Sequence, residues 1–258
     1  MNFIQPLLYS NKLKDNEDKY QEVLDSLETG DVILFNGQGF WFSYLVEWFT
    51  ESSWSHVGVV LRDPVFDNKE MKGLYLWESA EEAFQDAEDN CKKWGVQIQD
   101  LDRIIKNYQG KVVIRKLANI DNPNFRTKDK SKYIQETLIK IHEIVHNKPY
   151  DANPVDLILG GLGITLEDVN DKKTNEFFCS ALVSFIYCEL GIFGKDFNWD
   201  TIMPKHFDDK YSPAMSSDKP IIGKHRETLV INSKDVVKKD VYLPFIDGYT
   251  LEPEILIK

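Results

Sequence analysis

Cysteine is scarce in this chain. Cys91, Cys179 and Cys188 are scattered over 258 residues. The number is odd and the spacings build no disulfide frame. No CxxC pair suggests a structural zinc site. A reducing compartment is the simplest setting. Long apolar runs are missing too. None approaches the ~18 residues that a membrane span needs. The most apolar short stretch, "FWFSYLVEWF", is interrupted by Glu47. The opening "MNFIQPLLYSNKLKDNEDKY" has no basic region followed by an apolar one, so no secretory leader is expected. These absences point to the cytoplasm and leave peripheral membrane contact open. Basic charge is also in deficit: 31 basic against 42 acidic residues give a net charge of −11. Such a surface argues against non-specific binding to nucleic acid. There is no internal repeat and no low-complexity tract.

What remains is an ordered succession of strands followed by helices. The length suits a single domain spanning 1–258, with a core at about 28–191, an insertion at 160–176 and a C-terminal extension at 192–258. Residues 1–28 read as a polar helical lead-in, and "DVILFN" (31–36) as a strand after Gly30. "FWFSYLVEWFTES" (40–52) reads as an aromatic-rich helix. "HVGVVLRD" (56–63), "GLYLWES" (73–79), "GVQIQDL" (95–101) and "KVVIRKL" (111–117) are strand-like. A short helix, "LDRIIKNY", precedes the last of them. Residues 130–147 form a helix with the stripe Ile134, Leu138, Ile141 and Val145, and Pro149 ends it. "PVDLILGGLG" reads as a short apolar helix, and "FCSALVSFIYCELG" (178–191) as a helix stopped by Gly191. "DVYLPFI" (240–246) reads as a last strand. Strands first and helices mostly afterwards make an α+β pattern rather than alternating βαβ units.

One motif invites a metal reading. "HEIVH", His142 to His146, places two histidines four apart with Glu143 between them, as on a zinc protease helix. Such a helix needs both histidines on the cleft, a third ligand and the glutamate beside a bound water. On spacing alone Glu167 and Glu176 offer a third ligand. The histidines lie on the flank of the stripe and Glu143 points away from it. The preferred reading is two solvent-side histidines on an amphipathic helix. No metal ligand and no cofactor are expected.

Cys179 carries the stronger signal. It opens the clearest helix, where the positive end of the dipole favours a thiolate. A thiolate nucleophile needs a base, and the base an orienting group. His56 opens one strand and Glu78 closes the next. If the two strands form an antiparallel hairpin, these residues become neighbours across the ladder. The bland alternatives stay open: a buried apolar cysteine, a core histidine and a strand-end glutamate. Cys188 faces apolar neighbours on the same helix. Cys91 lies in the polar stretch "EDNCKKW". Neither has a partner histidine.

The order of motifs resembles the circularly permuted papain-like hydrolases of the NlpC superfamily, in particular the YiiX-like group with bacterial and poxviral members. The matching segments are "GDVILF" (30–35), "SHVGVVL" (55–61), "LWES" (76–79), "GVQIQDLDRIIKNYQGKVVIRKL" (95–117), "KPYD" (148–151) and "FFCSALVSFIY" (177–187). The resemblance implies a papain-like fold with permuted connectivity, an antiparallel sheet or barrel packed against helices. It implies Cys179 as nucleophile, His56 as general base and Glu78 as its orienting carboxylate. Tyr150 in "KPYD" matches a tyrosine near the family's site and is a candidate donor to oxyanion or substrate. A plain turn after the helix is the alternative for Tyr150. The family's packing helix before "PYD" gives the histidines of "HEIVH" no assigned part. The implied activity is cysteine-dependent acyl chemistry on an amide or ester, with a small-molecule, lipid or peptide substrate. The aromatic helix 40–52 tilts this toward an apolar acyl group. Two other classes stay open: a catalytically silent papain-like module that binds a lipid or protein, and a zinc protease built on His142, Glu143 and His146. The 160–176 insertion is a candidate lid. The extension 192–258 could finish the sheet, wrap the core or meet a partner.

Overall fold

The computed structural model describes residues 17–37, 54–66, 69–81, 84–126, 128–151, 175–195, 199, 202–209, 227–232, 235–240 and 243–258. Its centre is a sheet of six strands. In chain order these are β1 (Val32–Asn36), β2 (His56–Arg62), β5 (Leu74–Ala80), β6 (Gly95–Asp100), β7 (Lys111–Arg115) and β12 (Ile255–Leu256). The spatial order is β12-β7-β1-β2-β5-β6, and every pairing is antiparallel. Short pairs surround it. β3 (Val65–Phe66) meets β4 (Lys69–Glu70), β8 (Leu117–Asn119) meets β11 (Tyr249–Leu251), and β9 (Glu227–Asn232) meets β10 (Asp235–Asp240).

Both faces of this sheet are covered, which explains its unbroken apolar strands. Successive residues of a strand point to opposite faces. Val32, Leu34, Val57, Val59, Leu61, Trp77 and Val113 join one core cluster, while Ile33, Phe35, Val60, Leu76, Val112 and Ile114 join another. Antiparallel sheets with one wet face alternate apolar and polar residues; two dry faces require runs such as "VILF". A helix at 17–25, here α1, and α2 (Leu101–Asn107) supply Leu24, Leu101, Ile104 and Ile105 to the second cluster. Asp100 caps α2 by accepting from the Arg103 amide. The first cluster is closed by α3 (Lys128–Val145) and α4 (Cys179–Glu189). Leu138, Ile141 and Val145 of the expected stripe are buried, and Ile134 packs at its margin. α4 is buried along its length from Cys179 to Cys188, as a helix apolar all round must be.

Two expectations change. The sheet is open rather than a barrel. Among the described residues β6 and β12 end it, and β12 is two residues long, too short to close a ring against the full length of β6. The final strand is not at 240–246. β10 ends at Asp240, Phe245 makes one isolated bridge to Phe193, and the extension finishes the sheet through β12 instead, while β11 pairs with β8 apart from it. The loop between β2 and β5 holds the β3–β4 pair. The expected helix at 40–52 and the apolar helix at 154–163 lie outside the described residues, as does all but the end of the 160–176 insertion.

Candidate active site

The hairpin logic for His56 and Glu78 is realised in the ladder. β2 and β5 pair antiparallel with Val59 opposite Trp77. That direction brings the start of β2, at His56, beside the end of β5, at Glu78. His56 Nε2 lies 2.6 Å from Glu78 Oε2. Glu78 is buried, whereas the His56 side chain keeps 22% exposure. On its other side His56 sits across from Phe35 of β1, ring centroids 5.6 Å apart.

Cys179 reaches the same imidazole from α4, which packs across β2 and β5. With Nε2 given to Glu78, Nδ1 is the ring nitrogen left for the thiol. The histidine pKa records this arrangement. Burial pulls it down, but a negative charge on Cys179, a hydrogen bond to that sulfur and the Glu78 carboxylate outweigh burial and push it up to about 10. No side chain caps the start of α4; its N-cap is Phe178 in extended conformation.

The approach to Cys179 is stapled from three directions. The Ser79 hydroxyl of β5 donates to the Phe177 carbonyl at 2.5 Å. The "KPYD" segment runs beside it: Tyr150 bridges Phe177 in parallel, the Phe177 amide donates to the Pro149 carbonyl, and the Asp151 amide donates to the Phe177 carbonyl. The Ser180 hydroxyl donates to the Ile202 carbonyl at 2.6 Å. The close approach of "KPYD" to β6 requires Gly95. Its φ is +140°, and a Cβ there would stand 2.2 Å from the Lys148 carbonyl oxygen. The half-buried Tyr150 is thereby held near the thiol. Burial, charge on Cys179, Asp151 and Glu81 raise its pKa well above the ordinary value, so the phenol keeps its proton and stays a donor.

All four residues singled out in the sequence, Cys179, His56, Glu78 and Tyr150, therefore meet in one place. The positioning groups Ser79 and Gly95 were not anticipated; each acts through backbone contacts that leave no spacing signature. No disulfide involves Cys91, which is exposed, or Cys188, which is buried with its thiol 3.8 Å from the Gly194 carbonyl.

The histidines of "HEIVH" do not behave as expected. His142 is not solvent-side. It is 3% exposed and stacks on Phe66, centroids 4.2 Å apart. Both histidines turn toward Glu88 in the β5–β6 connection, where His142 Nε2 is 2.8 Å and His146 Nδ1 3.5 Å from Glu88 Oε2. The cause is local. Asp86 is buried and accepts from the amides of Glu88, Asp89 and Ile98, which folds the connection back onto the end of α3. Glu176 is not part of this group, Glu167 lies outside the described residues, and Glu143 is exposed. Nothing in the sequence pointed to Glu88, which stands 54 positions before His142.

No protein-family model matches the chain, and no curated protein matches it. Among solved structures it is similar to the metalloprotein yiiX of Escherichia coli O157:H7, described as DUF1105, with 20% identity and a TM-score of 0.34. The similarity covers 62% of this chain and 64% of that one, so the chain spans less than two thirds of that relative's length. No helix among the described residues is long and apolar enough to cross a membrane.

Proposed function

We propose that the protein is a cysteine-dependent acyl hydrolase or acyltransferase of papain-like, circularly permuted architecture, with Cys179, His56 and Glu78 as its triad. The observation that carries this reading is one imidazole held between a buried carboxylate at 2.6 Å and the thiol of Cys179 at a helix start. Burial alone would make His56 a weak base. The pair of anionic neighbours makes it an imidazolium partner for a thiolate.

The Cys179 sulfur attacks the carbonyl carbon of an ester or amide. The carbonyl oxygen becomes anionic and is met by the uncapped N–H groups at the start of α4, with the protonated phenol of Tyr150 as a second donor. The bond to the leaving group breaks as His56 passes it a proton, leaving an acyl thioester on Cys179. A water or an acceptor alcohol or amine then gives its proton to His56 and takes the acyl group. Glu78 holds the ring in the tautomer and orientation both halves require.

Alkylation resolved by peptide mass spectrometry tests the reading. Cys179 is buried and Cys91 exposed, so access alone favours Cys91. We expect Cys179 to react with iodoacetamide faster than Cys91 at a pH of about 6, well below the ~8.5 of an ordinary thiol. His56→Ala should remove that advantage. A Cys179 slower than Cys91 at every pH, and indifferent to His56, would leave a silent binding module as the better description.

A further inference from the structure

We infer that Glu88, His142 and His146 form a binding site for a divalent transition cation, Zn²⁺ by its donor set, which ties the β5–β6 connection to the end of α3. None of these residues belongs to the Cys179 site. Their ligand atoms, one per residue, lie within 4.8 Å of one another. Around a tetrahedral zinc with bonds of about 2.0–2.1 Å, neighbouring ligand atoms stand roughly 3.3 Å apart. The Glu88 oxygen is 2.8 Å from one histidine nitrogen and 3.5 Å from the other. The carboxylate therefore stands near chelating separation from each imidazole, and the two imidazole nitrogens are within 4.8 Å of each other.

The surroundings are arranged as a metal site requires. His146 offers Nδ1 toward Glu88 and turns Nε2 to Asp89 Oδ2 at 3.3 Å. That is a carboxylate orienting a ligand histidine through its second nitrogen. His142 is fixed by its stack on Phe66. Two lysines stand nearby: Lys93 is engaged by Asp86 and Asp89, and Lys69 donates to the backbone carbonyl of Glu88; the Glu88 carboxylate faces the histidines. The histidines stand at the C-terminal end of α3, where the helix dipole favours positive charge. Two imidazoles and one carboxylate suit Zn²⁺ or Co²⁺ and not Mg²⁺ or Ca²⁺, which take oxygen donors. Three protein ligands leave a fourth position for water. The cation would brace the turn four residues ahead of Tyr150.

The test uses the full, tag-free chain stripped with a chelator. Zn²⁺ is titrated calorimetrically, Co²⁺ is followed by its visible spectrum, and both are repeated in Cys179→Ser, His146→Gln and Glu88→Gln. We expect one equivalent to bind, with a tetrahedral Co²⁺ spectrum free of thiolate charge transfer and unchanged in Cys179→Ser. His146→Gln and Glu88→Gln should each weaken binding by more than about tenfold. Zn²⁺ at a hundredfold excess over its Kd should raise the Tm by about 5–10 °C in wild type and far less in these two variants. His146 is only half-buried at the helix end, so His146→Gln should fold even if Glu88→Gln does not; its metal-free Tm checks this. Absence of Zn²⁺ binding in wild type, full-strength binding in His146→Gln, or binding lost with Cys179→Ser alone would each overturn the site.

Discussion

Histidines meet carboxylates in two places among the described residues, and the two teach by contrast. His56 meets Glu78 at 2.6 Å and His142 meets Glu88 at 2.8 Å. The contacts are nearly the same; the settings are opposite. His56 faces the start of a helix, where a thiol stands and the dipole is positive. His142 and His146 sit at the end of a helix, where the dipole is negative and their partners are the carboxylates of Glu88 and Asp89. The first setting favours an anion beside the imidazole and so an ion pair fit for nucleophilic attack. The second favours a bound cation. The same residue types acquire different chemistry from the helix end they face.

The sharpest way to break the comparison is at the sulfur. Cys179→Ala should reduce turnover of any acyl ester or amide substrate by about 10⁴–10⁶-fold and should also lower the His56 pKa, because the sulfur charge is the largest influence holding it up. Proton-detected titration of the imidazole checks the second effect without a substrate. A His56 that still titrates near 10 in Cys179→Ala would place the cause elsewhere.

Glu78→Gln comes next. It keeps the shape, removes the charge and should cost about 10²–10⁴-fold in turnover. Its pH signature has a definite sign. His56 is raised from an ordinary value near 6.5 to about 10. The stability contributed by its protonated form is complete below about pH 6.5 and disappears as pH climbs through about 10. Removing the carboxylate moves that upper limit down. Thermal unfolding from pH 6 to 10 should show the variant losing stability at lower pH than wild type; coincident profiles would deny Glu78 its part.

Phe66→Ala probes the other pair. The ring is buried and stacked on His142, so its removal should cost about 3–5 kcal/mol, read by urea unfolding. If the two regions are energetically separate, the alkylation rate of Cys179 in the folded variant stays at its wild-type value.

How much of this was legible in the sequence follows the range of each interaction. The strands announced themselves because two dry faces demand unbroken apolar runs, and α4 because it is apolar all round. His56 and Glu78 could be paired because hairpin geometry links the ends of consecutive strands. His142 was misread because a helical wheel knows only its own helix: Ile141 and His142 both find cover once Phe66 of β3 lies over the histidine. Glu88 was invisible for a related reason. Its place depends on Asp86 capturing three amides, a loop conformation with no periodicity to betray it. The short β12 was likewise hidden, since a two-residue edge strand has no pattern of its own.

The smallest expected effect sharpens the contrast furthest, because it concerns position alone. Ser79 lies on β5 beside Glu78 and is fully buried, with its hydroxyl on the Phe177 carbonyl two residues before Cys179. Ser79→Ala removes one donor. The carbonyl keeps the Asp151 amide as a partner, so the stability cost should be only about 1 kcal/mol. Catalysis depends on placement more steeply than stability does, since a displacement on the order of 1 Å can cost about 10²-fold. We therefore expect Ser79→Ala to slow Cys179 alkylation and turnover by about tenfold while urea unfolding changes by about 1 kcal/mol. Zn²⁺ affinity at the other histidine pair should stay the same. An equal and small loss in all three measurements would mean that Ser79 only packs, and that the strand carrying Glu78 does not also aim the thiol.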